Sequence, residues 1–496
     1  MGSYILALDQ STSGTKAIIF DKDSKLVGRA TIEHQQFYPN PGWVEHDAVE
    51  IYQNTLQAVK TVLTDSCINI QQITAVSITN QRETALIWDK KNGMPVYRAV
   101  VWQCQRAGVI CKDLNNRGFA KAIKEKTGLV LSPYFSAPKI KWILDNVAGV
   151  REKAEAGELL FGTMDTWLIW NLTGGKIHAT DFSNASRTLL FSIIDLKWDQ
   201  ELLDIFTIPA SMMPQVKYSN KIFGYTTCGT ILPKELPISG VMGDSHGALF
   251  GQNCFEEGMA KATYGTGSSI MMNIGAKPLQ SQNGIVTSIA WGMDSKINYV
   301  FEGNINCTGD TIKWLADNLG LIRNSKESEH IAALIDDNDG VYIVPAFVGL
   351  GAPYWDSEAR ASITGITRGT QKAHIVRAAE ESIAYQIKDV IDLMVQQSGI
   401  SLRELRVDGG PTKDNFLMQF QADMLEVDVV RNRIEELSAL GSAYMAGLAV
   451  GLWKNQQEIK TLRIQDATFS SRMDNTSRER LYRGWKEAVR RTLSSY

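Results

Sequence analysis

Several common devices are missing from this 496-residue sequence. It contains neither GxxxxGK(S/T) nor an intact GxGxxG, which excludes the two most familiar glycine loops for nucleotides. The six cysteines, Cys67, Cys104, Cys111, Cys228, Cys254 and Cys307, show no CxxC spacing, so a zinc ribbon or disulfide framework is not expected and a reducing compartment is. Lys and Arg number 51 against 54 Asp and Glu. That net charge of −3, with signs interspersed, gives no broad basic face for nucleic-acid phosphates. No apolar run reaches the roughly 20 residues of a bilayer span; the longest, around 443–453, is broken by glycines. Met1 leads straight into the apolar residues 4–8 without a basic segment, so no signal peptide and a cytoplasmic location are expected.

Hydrophobic residues at 44% supply enough apolar surface for packed cores, and the length predicts two domains. Residues 4–9 read as a buried strand and 17–20 as its hairpin partner, joined by Gln10-Ser-Thr-Ser-Gly-Thr-Lys16. A related pattern returns half a chain later, with strands at 259–264 and 270–274 around Gly265-Thr-Gly-Ser-Ser269. Two hydroxyl-and-glycine hairpins predict a duplicated domain, with a boundary near Gly251 giving units of 1–250 and 251–496. Helical periodicity over 48–64 and 376–398, the latter closed by Gly399, alternates with strand-like segments such as 73–79, which predicts mixed α/β layers.

Each hairpin alone reads as an ordinary β-turn; as a pair they can aim backbone N–H and side-chain O–H groups at one anion, with Lys16 adding charge. Asp9 opens the first loop, either as a turn-forming residue or as a carboxylate that tolerates phosphate because Mg²⁺ intervenes. Asp244 follows an apolar strand and starts a helix, so it is either an N-cap or a general base that takes a hydroxyl proton. Leu405-Arg-Val-Asp-Gly-Gly-Pro-Thr-Lys-Asp-Asn-Phe416 reads as strand, double-glycine turn and helix start, either a tight connection or a place where a nucleotide lies against backbone. The histidines, His46 among them, have no metal-ligand spacing.

Together with Asn80-Gln-Arg-Glu83, Trp102-Gln-Cys-Gln105, Gly42-Trp-Val-Glu-His-Asp47, Tyr134-Phe-Ser-Ala-Pro-Lys139, Asn184-Ala-Ser-Arg-Thr188 and Gly349-Leu-Gly-Ala-Pro-Tyr-Trp-Asp356, these segments resemble the FGGY carbohydrate kinases over nearly the whole chain. The resemblance is strongest to the branch that phosphorylates glycerol. It implies an α/β protein of two ribonuclease-H-like domains, of the actin and hexokinase type, with the active site in the cleft between them. It also implies ATP and Mg²⁺ as cofactors, a small polyol or sugar as substrate and a homodimer or homotetramer.

Carried over residue by residue, Thr12, Ser13 and Lys16 match the first phosphate loop and Thr266 and Gly267 the second, while Gly309, Lys313, Gly410 and Asp414 fall at the nucleotide. Asp9 and Asp244 match the metal-organising carboxylates, and Asp244 the base. Arg82, Glu83, Trp102, Tyr134 and Asp244 match the polyol site; the other reading of Arg82 and Glu83 is an interdomain salt bridge. Ser245 stands where that branch has Gln, and Ser268 and Ser269 where it has Cys-Phe, which predicts a larger and more polar pocket open to glycerol or to tetritols, pentitols and ketopentoses. Lys313 replaces a usual Gln and Asp414 a usual Asn. Residues 224–233 lack the family's inhibitor loop and its phosphorylatable His, so neither control is expected. The non-enzymatic alternative is an actin-like nucleotide sensor, against which the presence of both Asp9 and Asp244 argues.

Overall fold

The computed structural model describes residues 3–494 apart from 228, 230, 463 and 464. Strand β1 (Tyr4–Gln10) is buried along almost its whole length, as expected of a central strand flanked on both sides. It pairs antiparallel with β2 (Gly14–Asp21), which pairs antiparallel with β3 (Leu26–Glu33). The ladder runs further into the polar loop than the sequence suggests, since Asp9 pairs with Lys16 and Gln10 with Thr15. Backbone pairing is indifferent to side-chain polarity, so only Ser11 to Ser13 remain as the turn.

Helix α1 (Ala48–Ser66) is capped by the Asp47 carboxylate, which accepts from the N–H groups of Val49 and Glu50. It leads to β4 (Ile73–Asn80), which is parallel to β1. A long insertion then intervenes before the edge strand β5 (Gly224–Tyr225) and β6 (Pro237–Gly243), and β6 runs parallel to β4. The sheet order is β5-β6-β4-β1-β2-β3. Helix α2 (Asp244–Gly251) follows directly.

The second half repeats this plan. Its hairpin, β7 (Met259–Tyr264) and β8 (Ser268–Gly275), is extended by β9 (Val286–Met293) and β10 (Lys296–Ile305). Helices α3 (Gly309–Asp317) and α4 (Lys372–Ser398) precede β11 (Glu404–Asp408), and Gly399 closes α4 at φ +69. Next come α5 (Asn415–Leu425), β12 (Asp428–Asn432), α6 (Leu437–Ala449), β13 (Gln465–Phe469) and α7 (Asn475–Thr492). The seven strands run β9-β10-β8-β7-β11-β12-β13, with β7, β11 and β12 mutually parallel. Apart from the extra strand β9, this is the order and the direction pattern of the first sheet.

The halves share a core. Ile5, Ala7, Met242 and Leu249 from the first pack with Leu440, Tyr444 and Met445 of α6 and with Met271 and Val300 of the second sheet. Helices α2 and α6 approach so closely that a Cβ on Gly441 would lie 1.8 Å from the Gly247 carbonyl oxygen. Among the described residues no helix is long and apolar enough to cross a membrane.

Candidate active site

Asp244 is the first residue of α2, and the N-cap position belongs to Gly243 with no side-chain cap bond. Asp244 is therefore not the N-cap that its sequence position allows, although its carboxylate accepts from a first-turn N–H. Its Oδ1 lies 3.1 Å from Arg82 Nε and 2.6 Å from the Ser245 N–H, and its side chain keeps 39% exposure. Arg82, just past the end of β4, is buried; its Nη1 and Nη2 donate to Glu302 on β10 at 3.0 and 2.9 Å. Arg82 thus spans the two halves, as the salt-bridge reading expects. It also orients Asp244, so the two readings of this residue are not exclusive.

Glu83 sits at φ +62, a conformation that is uncommon for a residue with a side chain. The surroundings hold it there. Its Oε1 accepts from Arg187 Nε at 2.6 Å, and its carbonyl accepts from Ser136 and from the buried Lys139. Lys139 also donates to the carbonyl of Phe135 at 2.7 Å, and burial pulls its pKa down to about 7. Burial pushes the Glu83 carboxyl up, opposed by Arg187 and Arg82. For Glu302 the balance is reversed: burial works against the charge, but Arg187 and Arg82 outweigh it and hold the group well below the usual carboxylate range.

Tyr134 and Trp102 form the opposite wall, their rings 5.4 Å apart, and Trp102 Nε1 donates to Thr12 Oγ1 at 2.9 Å. That bond ties the wall to the first hairpin turn. Arg82, Glu83, Trp102, Tyr134, Asp244, Ser245 and Thr12 line one cavity of about 710 Å³ together with Gly267 and Ser269 from the second half. A second cavity, of about 650 Å³, is lined by Gly309, Lys313, Gly410 and Asp414, with Glu329 and Glu380. A third, of about 680 Å³, lies between them, sharing Thr263 with the first and Gly410 with the second. Through these shared residues the three cavities adjoin one another between α2 and α5.

Lys16 lines the middle cavity and pairs with Glu436 at 2.7 Å and Asp9 at 3.9 Å. Its charge is thus shared with carboxylates rather than held free in the turn. Asp9 lies just behind; burial raises its pKa to about 7 against the pull of Lys16, and the Glu436 and Asp244 carboxylates raise it further. Ser13 and Thr266 are exposed at the two turn tips, and the Thr266 carbonyl accepts from the Thr308 N–H at 2.8 Å. Asp414 caps α5 by accepting from the Leu417 N–H at 2.8 Å, and burial raises it to about 6. Gly409, at φ +99, passes so close to the second hairpin that a Cβ would lie 1.9 Å from the Tyr264 carbonyl oxygen.

Sequence reasoning missed Glu302, Arg187 and Lys261. Glu302 could have been noticed as a charge inside an apolar strand. Lys261 is buried on β7 and donates to Thr263 Oγ1 at 3.0 Å; Asp408, Glu302 and Asp244 partly offset the burial that lowers its pKa. His246, fully buried, meets Ser288 at 3.2 Å and is pushed far below its usual range by burial, so it is neutral. No group of three or more metal-ligating side chains occurs among the described residues. Of the 224–233 segment, residues 228 and 230 lie outside the described residues.

Residues 4–251 match the model of the N-terminal domain of the FGGY family of carbohydrate kinases, and residues 260–450 match that of its C-terminal domain. The chain is 54% identical over 493 residues to a glycerol kinase of Caldanaerobacter subterraneus subsp. tengcongensis, covering 99% of each. It is 53% identical over 494 residues to a glycerol kinase of Bacillus subtilis, covering 100% of each. The crystal structure of Plasmodium falciparum glycerol kinase with ADP superposes with a TM-score of 0.95 at 37% identity, covering 100% of this chain and 99% of that one.

Proposed function

The chain belongs to the FGGY family of carbohydrate kinases and is an ATP-dependent kinase, and from that premise we propose that it transfers the γ-phosphoryl group of ATP to a terminal hydroxyl of glycerol, giving glycerol 3-phosphate. The observation that carries this reading is the partly exposed Asp244 carboxylate, fixed by Arg82 and facing a cavity walled by both halves of the chain.

In this reading residues 1–250 hold the polyol and the first phosphate loop, and residues 251–496 hold the nucleotide. The glycerol hydroxyls lie among Arg82, Glu83, Tyr134 and Trp102, where donors and acceptors alternate as a polyol requires. The base and ribose lie along Gly309, Lys313, Gly410 and Asp414, and the phosphates reach Thr12, Ser13, Lys16, Thr266 and Gly267 through the middle cavity. Asp244 accepts the hydroxyl proton as that oxygen attacks the γ-phosphorus in line. Positioning by two rigid sheets supplies most of the remaining acceleration, and closure of the two halves over the bound substrates excludes water as a rival acceptor.

The donor set also fits Mg²⁺. Asp9 is a buried carboxylate whose partner Lys16, 3.9 Å away, is held more closely by Glu436 at 2.7 Å, and a divalent cation held by Asp9 and Asp244 would offset the Asp9 charge and screen the phosphates.

Asp244→Asn tests the assignment. Glycerol-dependent ADP release should fall by about 10²- to 10⁴-fold, while ATP binding measured by calorimetry without divalent cation is retained. Turnover at the wild-type rate would remove Asp244 as the base.

A further inference from the structure

We propose that the cleft also phosphorylates uncharged linear polyols one or two carbons longer than glycerol, with Ser269 and Asn304 holding the additional hydroxyl. The proposal rests on the kinase reading above and extends its substrate class.

The register of the second sheet defines the subsite. Ser269 is opposite Thr263 on β7 and opposite Asn304 on β10, while the next pair on the same face is Met271 with Glu302. Cross-strand partners share a face, so Thr263, Ser269 and Asn304 form one row beside the carboxylate that holds Arg82. All three line the 710 Å³ cavity. Ser268, on the opposite face, is satisfied by Thr308 Oγ1 at 2.7 Å. Ser269 Oγ, in contrast, is shielded from bulk water and has no hydrogen-bond partner. A buried hydroxyl left unpaired is costly, and a ligand hydroxyl is the group that would satisfy it.

The neighbouring charges set the class of ligand. Arg82 is the one cation lining this cavity among the described residues, and its three nitrogens already face Glu302 and Asp244. The nearest other cation, Lys261 on β7, is buried behind the row and already donates to Thr263 Oγ1 at 3.0 Å, which leaves no free cation lining the cavity for a sugar carboxylate. What remains for an added hydroxymethyl group is neutral: Ser245, Ser269, Asn304 and Asn306. The step is the one proposed for glycerol: a terminal hydroxyl oxygen bonds to the γ-phosphorus, the bond to the β-phosphate oxygen breaks to release ADP, and the proton passes to Asp244.

The test measures kcat/KM by ADP release for glycerol, erythritol, xylitol and gluconate. Erythritol should come within about tenfold of glycerol, and gluconate should give no turnover. Ser269→Ala should lower the ratio of erythritol to glycerol kcat/KM by about tenfold, and Ser269→Phe, which fills the space as well, by more. Turnover of glycerol with none of erythritol or xylitol would overturn the proposal and leave the glycerol reading standing, as would variants that lower both substrates in step. Absence of turnover with every polyol would overturn both.

Discussion

Arg82 and Glu302 meet across the cleft as a buried bidentate pair, both guanidinium Nη atoms within 3.0 Å of the carboxylate. One residue lies just past the end of a strand of the first sheet and the other lies within a strand of the second. Arg187 adds a second cation 2.8 Å from the same carboxylate. The pair therefore does two things: it fixes the distance between the sheets, and it sets the direction in which Arg82 presents Nε to Asp244.

Removing the charge at Glu302 should be felt in both roles. Glu302→Gln leaves two buried arginines facing a neutral amide, and breaking a buried pair in this way costs about 3–5 kcal/mol. Urea unfolding of the variant should show that loss, and its kcat should fall as well. A variant as stable and as active as the parent would show that the pair has neither role.

Asp9 predicts a pH dependence whose sign is fixed by the direction of its shift. Its folded pKa is raised from 3.8 to about 7, so the folded chain binds a proton that the unfolded chain has already released. Stability attributable to Asp9 is thus complete below about pH 4 and declines as pH rises towards 7. Asp9→Asn should lack that decline. Relative to the parent it should gain stability between pH 4 and 7, by at most about 4 kcal/mol, in parallel melts without nucleotide or divalent cation. A constant difference across that range would contradict the shift.

Gly409 gives a test confined to the nucleotide side. Gly409→Ala places a methyl group against the Tyr264 carbonyl and puts a side chain at φ +99, a region almost reserved for glycine. The turn must move away from the second hairpin. ATP affinity should drop by tenfold or more, since about 1.4 kcal/mol of displaced contact is enough, with the polyol KM changed far less. Equal losses for both substrates would show that the turn serves the whole cleft.

Much of this architecture was legible from neighbouring residues. The hairpins around Ser11 to Ser13 and Gly265 to Gly267 follow from glycine and hydroxyl residues between apolar runs, and their repetition gave the duplicated plan seen in the two sheet orders. The helix ending at Gly399 and the turn at Gly409 were equally plain, because a left-handed residue is a local requirement. Asp244 could be singled out as a carboxylate at a strand end, but its two readings could not be separated. Only the observed start of α2 shows that Gly243 occupies the cap.

By itself, then, the sequence determined which segments become strands and helices, where the chain turns, and that two similar units follow one another, since these depend on periodicity and on backbone conformations a few residues long. The tertiary structure alone decided which charges meet: Arg82 with Glu302, Lys16 with Glu436, Glu83 with Arg187. Pairs separated by 220 and 420 positions leave no local pattern, because what joins them is the packing of one sheet against another. The same packing leaves Ser269 without a partner, and that is a property of the cleft rather than of the segment that carries the residue.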